Sequence, residues 1–137
     1  MKRILVVDDE VLIGQGLVDL LRAAGYKAKC TESAEEAEEV MHFHKHPDSF
    51  DALITDFDMP GISGLELALR VRAQFPHVLI IIMSGRGKNL RISRENNFLT
   101  LEKPFGSKEV RSLLEEKLLS ESDKGEIRRF WEVIFDR

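Results

Sequence analysis

Asp56 and Asp58 stand one residue apart at the end of a short apolar run, Ala52-Leu53-Ile54-Thr55, and Met59-Pro60-Gly61 directly after them stops regular structure. A second acidic pair, Asp8-Asp9, follows the aliphatic run Ile4 to Val7 and leads into Glu10. Ser84-Gly85 follows the apolar run Val78 to Met83, and Lys103-Pro104 follows Phe98 to Leu101 with Glu102 between. Carboxylates gathered in a partly desolvated crevice repel one another and need a cation, and an all-oxygen shell with room for water suits Mg2+. With Mg2+ on one side and the Lys103 ammonium on the other, a phosphoryl group can be held while Asp56 attacks phosphorus in line as a carboxylate nucleophile. Ser84 then serves as a hydroxyl donor to a phosphoryl oxygen. Taken singly, each residue has a plainer explanation: Asp8 or Asp9 caps a helix, Ser84-Gly85 makes a turn, and Lys103 is a solvated charge before a proline. Compatible chemistry at four apolar-run ends is what favours a site.

Such a site needs elements that bring those ends to one edge. Ile4 to Val7 reads as a strand covered on both faces. From Val11 to Ala24, Ile13, Leu17, Leu20, Leu21 and Ala24 recur at helical spacing before Gly25. Lys27 to Thr31 alternates as a weaker strand, and Ser33 with Glu36 forms a capping box for a helix that turns Ala34, Ala37, Val40 and Met41 inward. The apolar run before Asp56 is the third strand. Ser63 with Glu66 repeats the capping box for a helix lined by Leu65, Ala68, Leu69, Val71 and Phe75, and Pro76 ends it. The fourth strand covers Val78 to Met83. Arg86 to Asn97 is expected to be a short or poorly packed helix, because Leu90 and Ile92 are its only sizeable apolar residues. A fifth strand over 98–101 precedes a helix from Ser107 to Leu119 with Val110, Leu113, Leu114, Lys117 and Leu118 on one face. Strands alternating with helices predict an α/β domain, a doubly wound five-stranded parallel sheet with helices on both faces. Its ligands gather at the carboxyl ends of the strands.

Composition narrows the class. The 137 residues fit one domain, 43% hydrophobic content is enough for a core, and a net charge of -4 gives no global positive field for nucleic acid. The single cysteine, Cys30, and an opening of Met1-Lys2-Arg3 followed by only a few strongly apolar residues predict a reducing, cytoplasmic setting with no membrane span. No glycine-rich anion cradle follows the first strand. His42, His44 and His46 alternate in a polar loop, but no second cluster completes a metal site and a solvated loop accounts for them. After a polar break at 120–125, Ile127, Phe130, Trp131, Ile134 and Phe135 form an aromatic stripe on a helical tail. That stripe packs on its own domain, makes a homodimer contact, or begins a linker to an output domain. The expected organisation is a domain over 1–120 and a tail over 121–137.

The motifs Val6-Val7-Asp8-Asp9-Glu10, Ile54-Thr55-Asp56-Phe57-Asp58-Met59-Pro60-Gly61, Ile82-Met83-Ser84-Gly85 and Glu102-Lys103-Pro104-Phe105 together resemble a receiver domain of two-component response regulators, over roughly residues 2 to 119. The resemblance implies a flavodoxin-like strand order 2-1-3-4-5. It implies that Asp56 accepts phosphate from a phosphohistidine of a sensor kinase or histidine phosphotransfer protein, and that the domain then acts on a downstream protein or output domain. It implies Mg2+ held by Asp8, Asp9, Asp56 and the backbone carbonyl of Asp58, phosphoryl contacts from Lys103 and Ser84, and a cis bond before Pro104. Such a domain is not an enzyme on separate substrates; it catalyses its own phosphorylation and dephosphorylation.

The chain also departs from the family pattern. The residue three before the lysine, usually an inward-turning aromatic, is Thr100, with Phe98 two residues earlier on the same strand face. Asp58 and Arg86 follow Asp56 and Ser84 by two residues each, positions that border the path of the hydrolytic water in receivers. Pairing between them is expected to set the phosphoryl lifetime. Two rival readings remain. One is a Mg2+-dependent phosphohydrolase of haloacid-dehalogenase type, with Asp58 as general acid/base, although Asp8-Asp9 precede the nucleophile and no insertion is long enough for a cap. The other is a receiver-like module that binds partners without phosphorylation.

Overall fold

The computed structural model describes residues 1–43 and 49–119. The helical tail expected over 126–137, and His44 and His46, lie outside the described residues. Five strands and five helices alternate: β1 (Arg3–Val7), α1 (Val11–Ala23), β2 (Lys27–Thr31), α2 (Ala34–Phe43), β3 (Ala52–Asp56), α3 (Gly64–Gln74), β4 (Leu79–Ser84), α4 (Gly87–Glu95), β5 (Leu99–Glu102) and α5 (Ser107–Lys117). All neighbouring strands pair in parallel, in the order β2-β1-β3-β4-β5.

Strand alternation splits the core into two layers. Ile4, Val6, Ile54, Ile81 and Met83 face α1 and α5, where they meet Leu17, Val18, Leu21, Val110 and Leu114. Leu5, Val7, Leu53, Ile80 and Ile82 face the other way, onto Ala34, Ala37 and Met41 of α2 and Leu67, Ala68 and Val71 of α3. Every residue of β3 is buried, as a strand covered on both faces requires. Two serines act as the capping boxes anticipate: Ser33 Oγ accepts from Glu36 N at 3.1 Å and Ser63 Oγ from Glu66 N at 3.1 Å. Among the described residues no helix is long and apolar enough to cross a membrane.

Some expectations shift. His42 belongs to the last turn of α2 rather than to a loop, and its ring meets Phe75 edge-on at 5.8 Å. Ile13 is 44% exposed instead of inward, and Val18 takes its place in the core, because Gly14 is the residue that carries α1 against the sheet. A Cβ on Gly14 would lie 2.5 Å from Cys30 Sγ. In α3, Leu67 is fully buried whereas Leu65 and Leu69 are only partly covered. Helix α4 is short, as expected, but not loosely packed. Its inner face is Asn89, Leu90 and Ser93, all buried, and the two polar members are hydrogen-bonded.

Candidate active site at the carboxyl edge of the sheet

The strand register assembles the reactive residues. Val7 pairs with Thr55, so Asp8 and Asp56 leave the sheet side by side. Asp56 pairs with Met83 and Ser84 with Glu102, which sets Ser84 one step beyond Asp56 and Lys103 one step beyond Ser84. Backbone bonds continue past the strands and fix these exits: Asp8 N donates to Thr31 O (3.1 Å), Phe57 N to Met83 O (2.9 Å) and Lys103 N to Ser84 O (2.9 Å). The Lys103–Pro104 peptide is cis. Behind Asp56 the chain doubles back so closely that Gly64 N donates to Phe57 O at 2.8 Å, and a Cβ on Gly64 would stand 1.8 Å from Asp56 O. Only glycine fits there.

Asp8, Asp9 and Asp56 each offer a carboxylate oxygen within 4.8 Å of the others. Asp8 is fully buried and Asp56 nearly so, while Asp9 is exposed at the rim. Asp8 Oδ1 also accepts from Glu10 N at 3.0 Å, closing a turn just ahead of α1, whose N-cap is Glu10 and not Asp8. Lys103 Nζ lies 3.2 Å from Asp8 Oδ2 and 3.1 Å from Asp56 Oδ1. Burial dominates the electrostatics of Asp56 and pushes its pKa up to about 6, Lys103 opposes that shift, and Asp8 and Asp9 reinforce it. Burial also acts to lower the pKa of Lys103, but Asp56 and Asp8 together outweigh it and the ammonium is held above its ordinary value. One lysine against three carboxylates leaves a net negative crevice. Its hard oxygen donors fit a small divalent cation such as Mg2+.

A hydrogen-bonded bridge borders this crevice. Ser84 Oγ accepts from Arg86 N at 3.1 Å and from Asn89 Nδ2 at 3.2 Å. The same Asn89 nitrogen donates to Asp58 Oδ2 at 2.9 Å, and Arg86 Nε lies 3.9 Å from that oxygen. The Asp58 carboxylate is therefore engaged by α4 and its N-cap. It is not part of the acidic cluster with its near neighbour Asp56.

The model of the family described as "Response regulator receiver domain" matches residues 4–115. The chain belongs to that family. As a receiver domain it resembles the response regulator protein FleR of Pseudomonas aeruginosa, at 29% identity over 82% of this chain and 23% of FleR. It also resembles the two-component response regulator ORR6 of Oryza sativa, at 34% identity over 66% of this chain and 54% of ORR6. The receiver thus spans about a quarter to about half the length of these curated relatives. Among solved structures, the response regulator TrrA of Thermotoga maritima in complex with Mg2+ and beryllofluoride superposes with a TM-score of 0.75 at 34% identity, covering 87% of this chain and 100% of that one. The receiver domain of the hybrid histidine kinase CckA superposes with a TM-score of 0.71 at 28% identity, covering 85% and 99% respectively.

The strand-end residues named from sequence, Asp8, Asp9, Asp56, Ser84 and Lys103, fall together at one edge of this receiver. Thr100, in the place of the family's aromatic, and Phe98 do not reach that edge. Phe98 is buried just before β5, against the α3 layer, with the Arg72 guanidinium 4.3 Å above its ring. The Thr100 hydroxyl accepts from Arg94 Nε of α4 at 3.0 Å. Asn89 is the residue that sequence reasoning missed. An asparagine in a weakly apolar helix counts against packing, and nothing local announces partners that lie 5 and 31 positions away.

Proposed function

We propose that this receiver takes a phosphoryl group onto Asp56 from the phosphohistidine of a sensor kinase or histidine phosphotransfer protein, in a Mg2+-dependent reaction. The observation that carries this reading is the setting of Asp56: a buried carboxylate with Asp8 and Asp9 on one side and the Lys103 ammonium 3.1 Å away on the other. An Asp56 oxygen attacks phosphorus, the P–N bond to imidazole breaks with its electron pair leaving on nitrogen, and an acyl phosphate forms. Asp8, Asp9, Asp56 and the Asp58 backbone carbonyl would hold the ion, which supplies charge neutralisation at the phosphoryl oxygens. Lys103 orients the phosphoryl group and balances its charge, and Ser84 donates its hydroxyl to it. The reaction is the domain's own phosphorylation and loss of phosphate, in the cytoplasm.

Approach by a partner helix is consistent with the surface beside the site. Val11, Leu12 and Ile13 are exposed, Leu12 by 88%. An apolar groove of ≈450 Å3 runs from Ile13, Leu17 and Leu20 to Pro104 and Phe105, next to Lys103. The phosphohydrolase reading is not favoured, because the Asp58 carboxylate it needs as acid/base is held by Asn89 at 2.9 Å. A module that ignores phosphorylation is not favoured either, since it has no use for a complete acidic pocket with its own counter-charge. In this reading residues 1–120 are the phosphoacceptor unit, and 121–137 pack on that unit, contact a second copy or link to an output domain.

Incubation with acetyl phosphate and Mg2+, read by intact mass and by sizing, tests this. One phosphoryl addition is expected on the wild-type chain and none on Asp56→Asn. Rapid multiple turnover of phosphate monoesters would instead favour the hydrolase.

A further inference from the structure

Ser84 is tied into the site in a way its own strand does not explain. Its Oγ accepts two N–H donors, Arg86 N at 3.1 Å and Asn89 Nδ2 at 3.2 Å. A serine hydroxyl has two acceptor lone pairs and one hydrogen. With both lone pairs engaged, the hydroxyl is left with one role, that of donor.

The orientation of the Asn89 amide follows from its other partner. The Asp58 carboxylate only accepts, so the 2.9 Å contact to Oδ2 must come from Asn89 nitrogen rather than from its oxygen. The two hydrogens on that nitrogen serve Asp58 and Ser84, one each. Asn89 is only 8% exposed and sits in the first turn of α4, where its backbone carbonyl accepts from the buried Ser93 Oγ at 2.8 Å. A buried amide with both hydrogens committed is costly to reorient.

We propose that Asn89 is a positioning residue for Ser84: anchored on Asp58, its amide fixes the Ser84 hydroxyl as a donor to a phosphoryl oxygen on Asp56, and so ties the first turn of α4 to the state of the site. The proposal rests on the phosphoacceptor reading of Asp56. It asks of Asn89 no contact with the phosphoryl group or with the metal carboxylates. In this proposal the effect of Asn89 on phosphoryl binding passes through Ser84, with the Asp58 contact as its anchor. It also gives α4 a direct link to the site that does not pass through Thr100 or Phe98.

The test is a double-mutant cycle on beryllofluoride binding in saturating Mg2+, with the full chain. Asn89→Ala is expected to weaken beryllofluoride binding about three- to tenfold, the loss typical of one hydrogen bond, and to leave Mg2+ affinity without beryllofluoride unchanged. In a Ser84→Ala background the same substitution is expected to change binding less than about twofold, whereas a merely structural role persists there in full. Asn89→Asp is nearly isosteric but cannot donate to Ser84. It is expected to lose at least as much as Asn89→Ala, and it carries the test if the alanine variant does not fold. Equal binding by wild type and Asn89→Asp overturns the proposal, as does an undiminished Asn89 effect in the Ser84→Ala background. Both outcomes leave the phosphoacceptor reading standing. A wild-type chain that binds no beryllofluoride at Asp56 overturns that reading and this proposal with it.

Discussion

Replacing Asp56 by asparagine is expected to stabilise the metal-free domain, and to do so only above a definite pH. Burial moves the Asp56 carboxyl from its ordinary 3.8 to about 6, with Lys103 resisting and Asp8 and Asp9 adding to the shift. The unfolded chain releases that proton near the ordinary value. Between about pH 4 and 6 the folded state therefore holds more protons than the unfolded state, and stability falls as pH rises through this window. At neutral pH the shift corresponds to ~3 kcal/mol set against folding in the ionised form, and we take ~1–3 kcal/mol as the expected recovery in Asp56→Asn. In urea denaturation with EDTA at pH 7.5, that raises the midpoint by roughly 0.5–1.5 M. At pH 5 the difference between the two should have fallen to about half, and the midpoints should converge only below about pH 4, where the carboxyl is protonated in the unfolded chain as well. Added Mg2+ should restore stability to the wild type and do little for the variant. An asparagine variant that is less stable than wild type at pH 7.5 in EDTA, or equally stabilised at both pH values, would refute this electrostatic account of the site.

Three further outcomes follow from the geometry. Gly64→Ala puts a methyl 1.8 Å from Asp56 O, so the loop behind Asp56 must shift. A loss of ~1–3 kcal/mol in denaturation is expected, and a loss below ~0.5 kcal/mol would contradict the close approach. Arg86 Nε lies 3.9 Å from Asp58 Oδ2 with both side chains largely exposed, and opening that pair by Arg86→Ala or Asp58→Asn is expected to shorten the acyl-phosphate half-life about two- to fivefold, as suits an exposed pair. Half-lives unchanged in both variants would dismiss the pair as a regulator. Finally, because Thr100 is bonded to Arg94 of α4, beryllofluoride binding is expected to move the amide resonances of Thr100 and of neighbouring Phe98. Resonances that stay in place would separate β5 from the switch.

The sheet and its reactive edge were legible because both are written in patterns of short range. Each strand is an unbroken or alternating apolar run, and parallel pairing forces the run ends onto one side. Asp8, Asp56, Ser84 and Lys103 could thus be placed together without any knowledge of contacts. Helical faces were read less well. Ile13 has the spacing of a core residue, one turn before Leu17, yet it lines an open groove, since Gly14 at the next position brings the helix down onto β1 and β2. Periodicity reports which residues share a face and is silent on which part of that face finds a neighbour. The shortness of α4 was legible, but the closure of its inner face was not, for the complementary reason. Its inner face is closed by Asn89 and Ser93, and hydropathy counts those residues as defects.

Asp58 is where the two kinds of information meet. Its spacing from Asp56 suggests a twin carboxylate, and short-range chemistry alone would give both the same task. Their surroundings separate them. Asp56 is buried, faces Lys103 and has its pKa raised, whereas Asp58 lies at the surface and receives an N–H from Asn89 with Arg86 close by. Both partners of Asp58 come from the start of α4. The loop after β3 and the first turn of α4 therefore form one hydrogen-bonded unit, with Ser84 bonded to the same asparagine. On the proposed phosphoacceptor reading, a change of charge on Asp56 would reach Ser84 across the crevice and, through that shared amide, Asp58 and α4 together. The carboxylate that first looks like a second nucleophile is thus better placed to anchor the element through which the site reaches the rest of the domain.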